Sequence, residues 1–198
     1  KYTIKNSDGK ANGVQTMTQV LEKSLNTGAI FAMNQIGEEM FYKYVKNFVV
    51  GSKTGIELQS ESPGDISTLE GYKEIYASTA SFGQGITVNP LQLVRAFGAI
   101  ANKGKLMQPY IVDEIIKADG SRIKTEPKMT RQVISPQTAT TLTAMLVNVV
   151  QNGHGQRAGV PGYFVAGKTG TAQIPKEDGP GYETDFTIGT FAGFAPAS

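Results

Sequence analysis

The chain reads as an α+β fold, an antiparallel β-sheet packed by helices. Three observations predict it. Apolar stripes recur at the helical period around residues 14–23, 38–49, 89–101 and 135–149. The strand-like runs come in pairs that look hairpin-connected, unlike the long crossovers of a parallel sheet. The 198 residues suffice for one sizeable core, which helices and sheet must share.

Taken in order, Val14 to Lys23 places Val14, Met17, Val20 and Leu21 on one helical stripe, and Thr27-Gly28 breaks it. Glu38 to Val49 has Met40, Phe41, Tyr44, Val45 and Phe48 on one face, with Gly51 as its C-terminal stop. Residues 51–85 are rich in Gly, Ser, Thr and Glu and read as a long, mostly irregular connection. Asn89-Pro90 opens a helix with Leu91, Val94, Phe97, Ile100 and Ala101 inward and Gly104 beyond its end. Tyr110 to Lys117 and Ser121 to Lys124 flank Asp119-Gly120, a strong hairpin signal. Ser135-Pro136 caps a further helix, with Ala139, Leu142, Leu146 and Val149 inward and Gly153 at its end. Tyr163 to Gln173 and Phe186 to Phe194 form a last hairpin, joined by a polar connection over 174–185. No internal repeat is visible.

Composition excludes several functions. There are 19 basic and 17 acidic residues, a formal charge of +2, and no basic cluster of the kind that binds nucleic acid. The absence of cysteine excludes disulfides, thiol catalysis and Cys-based zinc, and is neutral on compartment. No apolar run approaches the ~20 residues of a membrane span, and nothing at Lys1 reads as a signal peptide. Both ends read as cut from a longer chain.

The chemistry concentrates in Val165-Ala166-Gly167-Lys168-Thr169-Gly170-Thr171-Ala172-Gln173. A Lys-Thr-Gly-Thr run on an apolar strand sets an ammonium and two hydroxyls along one sheet edge. Such an edge suits an extended peptide ending in a carboxylate: the backbone pairs with it, and the cation and hydroxyls hold the anion. Gly170 is a small backbone position on that edge. Far upstream, Ser24-Leu25-Asn26 sits at the end of the first helical stripe; alone it reads as a polar helix end. A second Lys-Thr-Gly, at Lys53-Thr54-Gly55, falls in the irregular stretch and reads as structural. Two Ser-x-x-Lys matches occur. Ser7-Asp8-Gly9-Lys10 reads as a turn, and Ser121-Arg122-Ile123-Lys124 lies on a hairpin arm, where positions i and i+3 face opposite ways. Neither gives a serine at a helix N-terminus with a lysine one turn later. His154, the only histidine, sits in a Gly-His-Gly loop with no acid partner nearby in sequence, which argues against a Ser-His-Asp triad.

These residues carry a resemblance. Lys-Thr-Gly and a Ser-x-Asn triplet are two of the three known signatures of penicillin-binding proteins and class A β-lactamases, Ser-x-x-Lys being the third. Ala80 to Leu93, Ala101-Asn102-Lys103-Gly104, Pro109 to Val112, Tyr163 to Gln173 and Phe191 to Pro196 are similar to stretches of class B penicillin-binding proteins. The chain thus resembles a transpeptidase domain of that class from about Val14 to Pro196. The family's Ser-x-x-Lys helix would precede Lys1 and its last helix would follow the final strand. The expectation is a partial domain over residues 1–198 that acylates nothing alone.

The resemblance implies a peptidoglycan D,D-transpeptidase that cross-links stem peptides ending in D-Ala-D-Ala by serine acyl transfer and is the target of β-lactams. It implies Ser24 as proton relay, Asn26 as partner of the substrate amide and of the absent lysine, and Lys168 as holder of Ser24 and of positive potential. Thr169 and Thr171 would bind the substrate carboxylate beside Gly170, and the Thr171 N–H would be half of the oxyanion hole. It implies no metal or organic cofactor. Elongation or division machinery would be partners, nucleic acid would not, and the place of action would be the extracytoplasmic face of the bacterial cell membrane, with an anchor upstream. A β-lactam sensor and a non-catalytic scaffold of the same fold are the alternatives from other classes. A β-lactamase is a further enzyme alternative, although nothing in the chain supplies a base for rapid deacylation.

Overall fold

The computed structural model describes residues 3–176 and 178–197. Thr16 starts helix α1 (Met17–Glu22) through a reciprocal capping box: Gln19 N donates to Thr16 Oγ1 at 3.2 Å, and Thr16 N to Gln19 Oε1 at 2.9 Å. That start excludes Val14, which lies outside the helix and is fully exposed, at 101%, so the expected stripe begins at Met17. Helix α2 (Asn26–Ile36) runs straight through Thr27-Gly28, where the composition predicts a break. Gly28 is there for space. A Cβ on it would lie 2.6 Å from Val20 Cγ1, so only glycine lets α2 seat against α1.

Gly37, at φ +78°, ends α2 and starts α3 (Glu38–Asn47). The inward face of α3 is Phe41, Tyr42 and Val45, while Met40 and Tyr44 of the expected face are exposed. Gly51 is not its stop. Val49 N donates to Lys46 O at 2.8 Å and Val50 N to Val45 O at 3.3 Å, a Schellman closure with Val49 itself in the left-handed region at φ +63°. The middle stretch holds a short 3-10 turn (Ser67–Leu69) and helix α4 (Glu74–Ser81), against the expectation of irregular chain. Its eight residues have weak periodicity, and the burial of Ala77 and Ala80 beside Met33, Ile66 and Leu69 is what makes them helical.

Helix α5 (Pro90–Ala101) begins as expected, with Asn89 and Gln92 forming a second capping box. Its innermost positions are Gln92, at 1% exposure, Arg95 and Ala99, whereas Val94 is 64% exposed and Ala101 is exposed too. The polar pair faces backbone carbonyls of the irregular stretch and of β1 (Lys105–Met107). Phe97 and Ile100 pack separately, against helix α6 (Pro136–Asn152) and the last hairpin. β2 (Glu114–Ile116) and β3 (Arg122–Lys124) form the Asp119-Gly120 hairpin. β4 (Met129–Gln132) pairs with β1, a pairing no alternation announces because β4 is exposed throughout. β5 (Ala166–Pro175) pairs antiparallel with β6 (Tyr182–Phe194), Lys168 opposite Ala192 and Thr171 opposite Gly189. The α+β class holds, but among the described residues the strands make three two-stranded sheets instead of one. No helix of the described residues is long and apolar enough to cross a membrane.

Replacing Gly28 by Ala should lower stability by about 1–3 kcal/mol through overpacking, although alanine is the better helix former by about 1 kcal/mol. Val20→Ala should suppress that loss in the double variant, a coupling that thermal melts of the cycle would read.

Candidate active site

Ser24 owes its position to the end of α1. Ser24 N donates to Leu21 O at 3.3 Å and Leu25 N to Val20 O at 3.0 Å, the two bonds of a Schellman closure. The residue at the turn of that motif is left-handed and usually glycine. Here it is Ser24, at φ +52°. A non-glycine residue there costs roughly 1–2 kcal/mol. Val20 and Leu25, the two apolar residues flanking the closure, are both buried and fix it. α2 then starts at Asn26, so the triplet forms a corner between two helices.

Lys168 comes from β5, three residues after Val165, at the start of a strand whose root, Ala166, is fully buried. Lys168 Nζ donates to Ser24 Oγ across 144 residues of sequence, and to Thr169 O at 3.0 Å. Burial of the ammonium pushes the Lys168 pKa below its ordinary 10.5. A lysine so placed gives up its proton more readily, and can both hold and exchange a proton with the hydroxyl it touches.

A cleft of about 710 Å³ opens over this pair. Ser24, Asn26, Lys168, Thr169, Gly170 and Thr171 all line it, so the structure gathers every residue singled out from the two motifs. Asn26 Nδ2 donates to Lys5 O at 3.0 Å. β5 has a strand partner on one edge only, among the described residues, and the cleft runs along Lys168 to Thr171. The space above Gly170 is taken from the β6 side: a Cβ there would overlap Thr190 Oγ1, so this glycine is also needed for cross-strand packing.

Several lining residues were not singled out. Thr79, Ser81, Phe82 and Gln84 come from the end of α4 and the turn after it, and Gln84 Nε2 donates to Gln173 Oε1 at 3.0 Å, tying that turn to β5. The signal available was the Ser-Phe-Gly-Gln-Gly run. Ser7 and His154 stand at the rim, both exposed. Ser7 lies in a turn closed by Gly9 N to Asn6 O at 2.9 Å, as the Asp8-Gly9 pair predicts. Ser121 sits on the distant hairpin and Lys53 is exposed outside the cleft. The amides of Thr54 and Gly55 hold the Glu61 carboxylate, at 2.9 and 3.4 Å, which makes the second Lys-Thr-Gly a structural segment. Among the described residues no cluster of three or more metal-ligating side chains forms.

The family profile described as penicillin binding protein transpeptidase domain matches residues 1–198. The chain belongs to the penicillin-binding protein transpeptidase family. It is 41% identical to stage V sporulation protein D of Bacillus subtilis, over 94% of this chain and 29% of that protein. It is 37% identical to penicillin-binding protein PbpB of Mycobacterium tuberculosis, over 92% of this chain and 28% of that protein. Among solved structures, penicillin-binding protein 3 of Mycobacterium tuberculosis in complex with aztreonam superposes with a TM-score of 0.87, at 37% identity, over 92% of this chain and 42% of that one. The chain thus spans less than a third of the length of these two curated relatives. As a transpeptidase domain it has the fold the resemblance implied, helices with antiparallel strands.

Both Ser24→Ala and Ser24→Gly delete the hydroxyl, but the Gly variant should be the more stable by about 1 kcal/mol, the reverse of the usual helix order. Urea titration of the pair reads this difference. Lys168 generates a second outcome. Its folded pKa is lowered, so between that value and 10.5 the unfolded chain binds more protons and stability rises with pH. The rise is complete above 10.5 and is lost as pH falls through the folded value. Melts across the alkaline range should show it in the wild type and not in Lys168→Met.

Proposed function

We propose that this domain belongs to a serine-type peptidoglycan D,D-transpeptidase, acting on stem peptides that end in D-Ala-D-Ala and acylated by β-lactams. The observation that carries the reading is the Lys168–Ser24 pair in the wall of a cleft along an open strand edge. The nucleophile is taken to be the serine of a Ser-x-x-Lys motif outside this chain, because both matches within it lie on a turn and a hairpin arm.

The substrate peptide lies against β5, its terminal carboxylate held by the Thr169 and Thr171 hydroxyls in the positive potential of Lys168. The nucleophilic hydroxyl gives its proton to the relay that ends in Ser24 and Lys168 as it adds to the carbonyl carbon of the penultimate D-alanine, and the oxyanion that forms takes a hydrogen bond from Thr171 N–H. The C–N bond then breaks. Ser24, held by Lys168, passes a proton to the departing nitrogen, D-alanine leaves, and a serine ester remains. An amine from a neighbouring stem adds to that ester, the C–O bond breaks, and the proton returns to the serine oxygen. Asn26 bonds the substrate amide and orients it. The lowered pKa of Lys168 suits a group that exchanges protons with Ser24. Action at the extracytoplasmic face of the cell membrane is part of the same proposal.

Fluorescent penicillin tests the reading in one gel experiment. In the full-length protein, Lys168→Ala should slow labelling by about 100-fold or more and Lys53→Ala should leave it within twofold. The isolated chain should take no label. Equal effects of the two lysines, or a labelled band at the mass of the isolated chain, would overturn it.

A further inference from the structure

Helix α2 has no cap of its own. Its N-cap residue is Leu25, which has no side-chain acceptor for the orphan amides of the first turn. The acceptor comes from upstream in the sequence. Asn6 Oδ1 accepts from Thr27 N and from Thr27 Oγ1, both at 3.1 Å. Thr27 is the second residue of α2, so Asn6 makes in trans the bond that a Ser or Asp N-cap makes locally. Asn6 Nδ2 donates to Lys10 O at 3.0 Å, and the Asn6–Gly9 turn is stiffened by Lys10 N donating to Asp8 Oδ1 at 2.9 Å. The side chain is buried, at 8% exposure, with its oxygen and its amide nitrogen both bonded. The residue before it acts too, since Lys5 O accepts from Asn26 Nδ2 at 3.0 Å. The strap therefore grips Asn26 and Thr27 together.

We propose that Asn6 is a positioning residue for the Ser24-Leu25-Asn26 corner; this deepens the transpeptidase reading of the site and rests on it. Ser24 is held left-handed against its preference, a conformation that persists only where the surroundings over-determine it. The α1 side is fixed by the Schellman closure. The α2 side is fixed by Asn6. Without its acceptor the first turn of α2 frays, Ser24 relaxes to negative φ, and its hydroxyl leaves Lys168. The Ser7-Asp8-Gly9-Lys10 segment, which carries no nucleophile geometry, has its use here as the turn that presents Asn6.

The test uses the full-length protein with Asn6→Ala, Asn6→Asp and Lys168→Ala. Asn6→Ala should slow acylation by fluorescent penicillin about tenfold to 100-fold, with the half-saturating concentration unchanged within twofold. Asn6→Asp keeps the acceptor for Thr27 and should restore the rate to within threefold of wild type. In a Ser24→Ala background, Asn6→Ala should add less than twofold, which a general loss of stability would not reproduce. Hydrogen exchange at the Thr27 amide should quicken in Asn6→Ala and not in Asn6→Asp, whatever the activity of the site. Should Asn6→Ala not fold, Asn6→Ser, too short to reach Thr27, is read by the same criteria. A folded variant that acylates at the wild-type rate, or that loses as much with Ser24 absent as with it present, overturns the proposal. If Lys168→Ala also acylates normally, the reading of the site fails and the role of Asn6 fails with it. If Lys168→Ala is slow and Asn6→Ala is not, only the role of Asn6 fails.

Discussion

Helix α6 is the rod from which the candidate site hangs. Leu146 on its buried face packs in one apolar cluster with Ala166, the root of β5. Its far end grips α1: His154 N donates to Glu22 O at 3.1 Å, and Gly153 lies so close to the Glu22 backbone that a Cβ would come 2.6 Å from the same carbonyl oxygen. Lys168 lies two residues beyond Ala166, and Ser24 two residues beyond Glu22. Both groups are thus referred to a single helix of 17 residues, which helps a pair far apart in sequence to meet. Rigid secondary elements hold such groups more tightly than loops do.

The site is one of the places where the chain departs from local preference. A serine stands where a turn favours glycine, and a half-buried ammonium has a hydroxyl and a carbonyl oxygen as its bonded partners among the described residues. Each departure costs stability and each places a reactive group, the pattern expected where function and stability compete. The left-handed serine at a helix junction and the lysine whose pKa burial lowers therefore belong to one account.

Elsewhere burial of polar groups serves the fold. The stretch before α4 follows no regular ladder, and α5 supplies its bonds instead. Gln92 Nε2 donates to Ser52 O at 2.7 Å and Pro63 O at 2.8 Å, and Arg95 Nε donates to Met107 O at 2.6 Å. Unpaired backbone carbonyls inside a core are expensive, so a buried glutamine and arginine there are less costly than a valine would be. This is why the inner face of α5 is polar and Val94 points outward. It is also why Lys53-Thr54-Gly55 is structural: its backbone is spent on Glu61 and its Thr54 carbonyl on Arg95.

The sequence by itself determined what short-range chemistry controls. Asn89-Pro90 and Ser135-Pro136 mark helix starts because caps and proline act within four residues, and Asp119-Gly120 marks a hairpin because its turn needs glycine's backbone freedom. The motif around Lys168 was legible for the same reason, since a strand with that pattern is chemically distinctive wherever it lies. Only the tertiary structure decided the rest. Gly28 reads as a breaker until Val20 is seen pressed against it, α4 reads as loop until Ala77 and Ala80 are seen buried, and Ser24-Leu25-Asn26 is an ordinary polar helix end until Lys168 reaches it. These depend on which surfaces the fold brings together. No local pattern encodes that, because the energy of burial and of a shared hydrogen bond resides in pairs of residues and not in either alone.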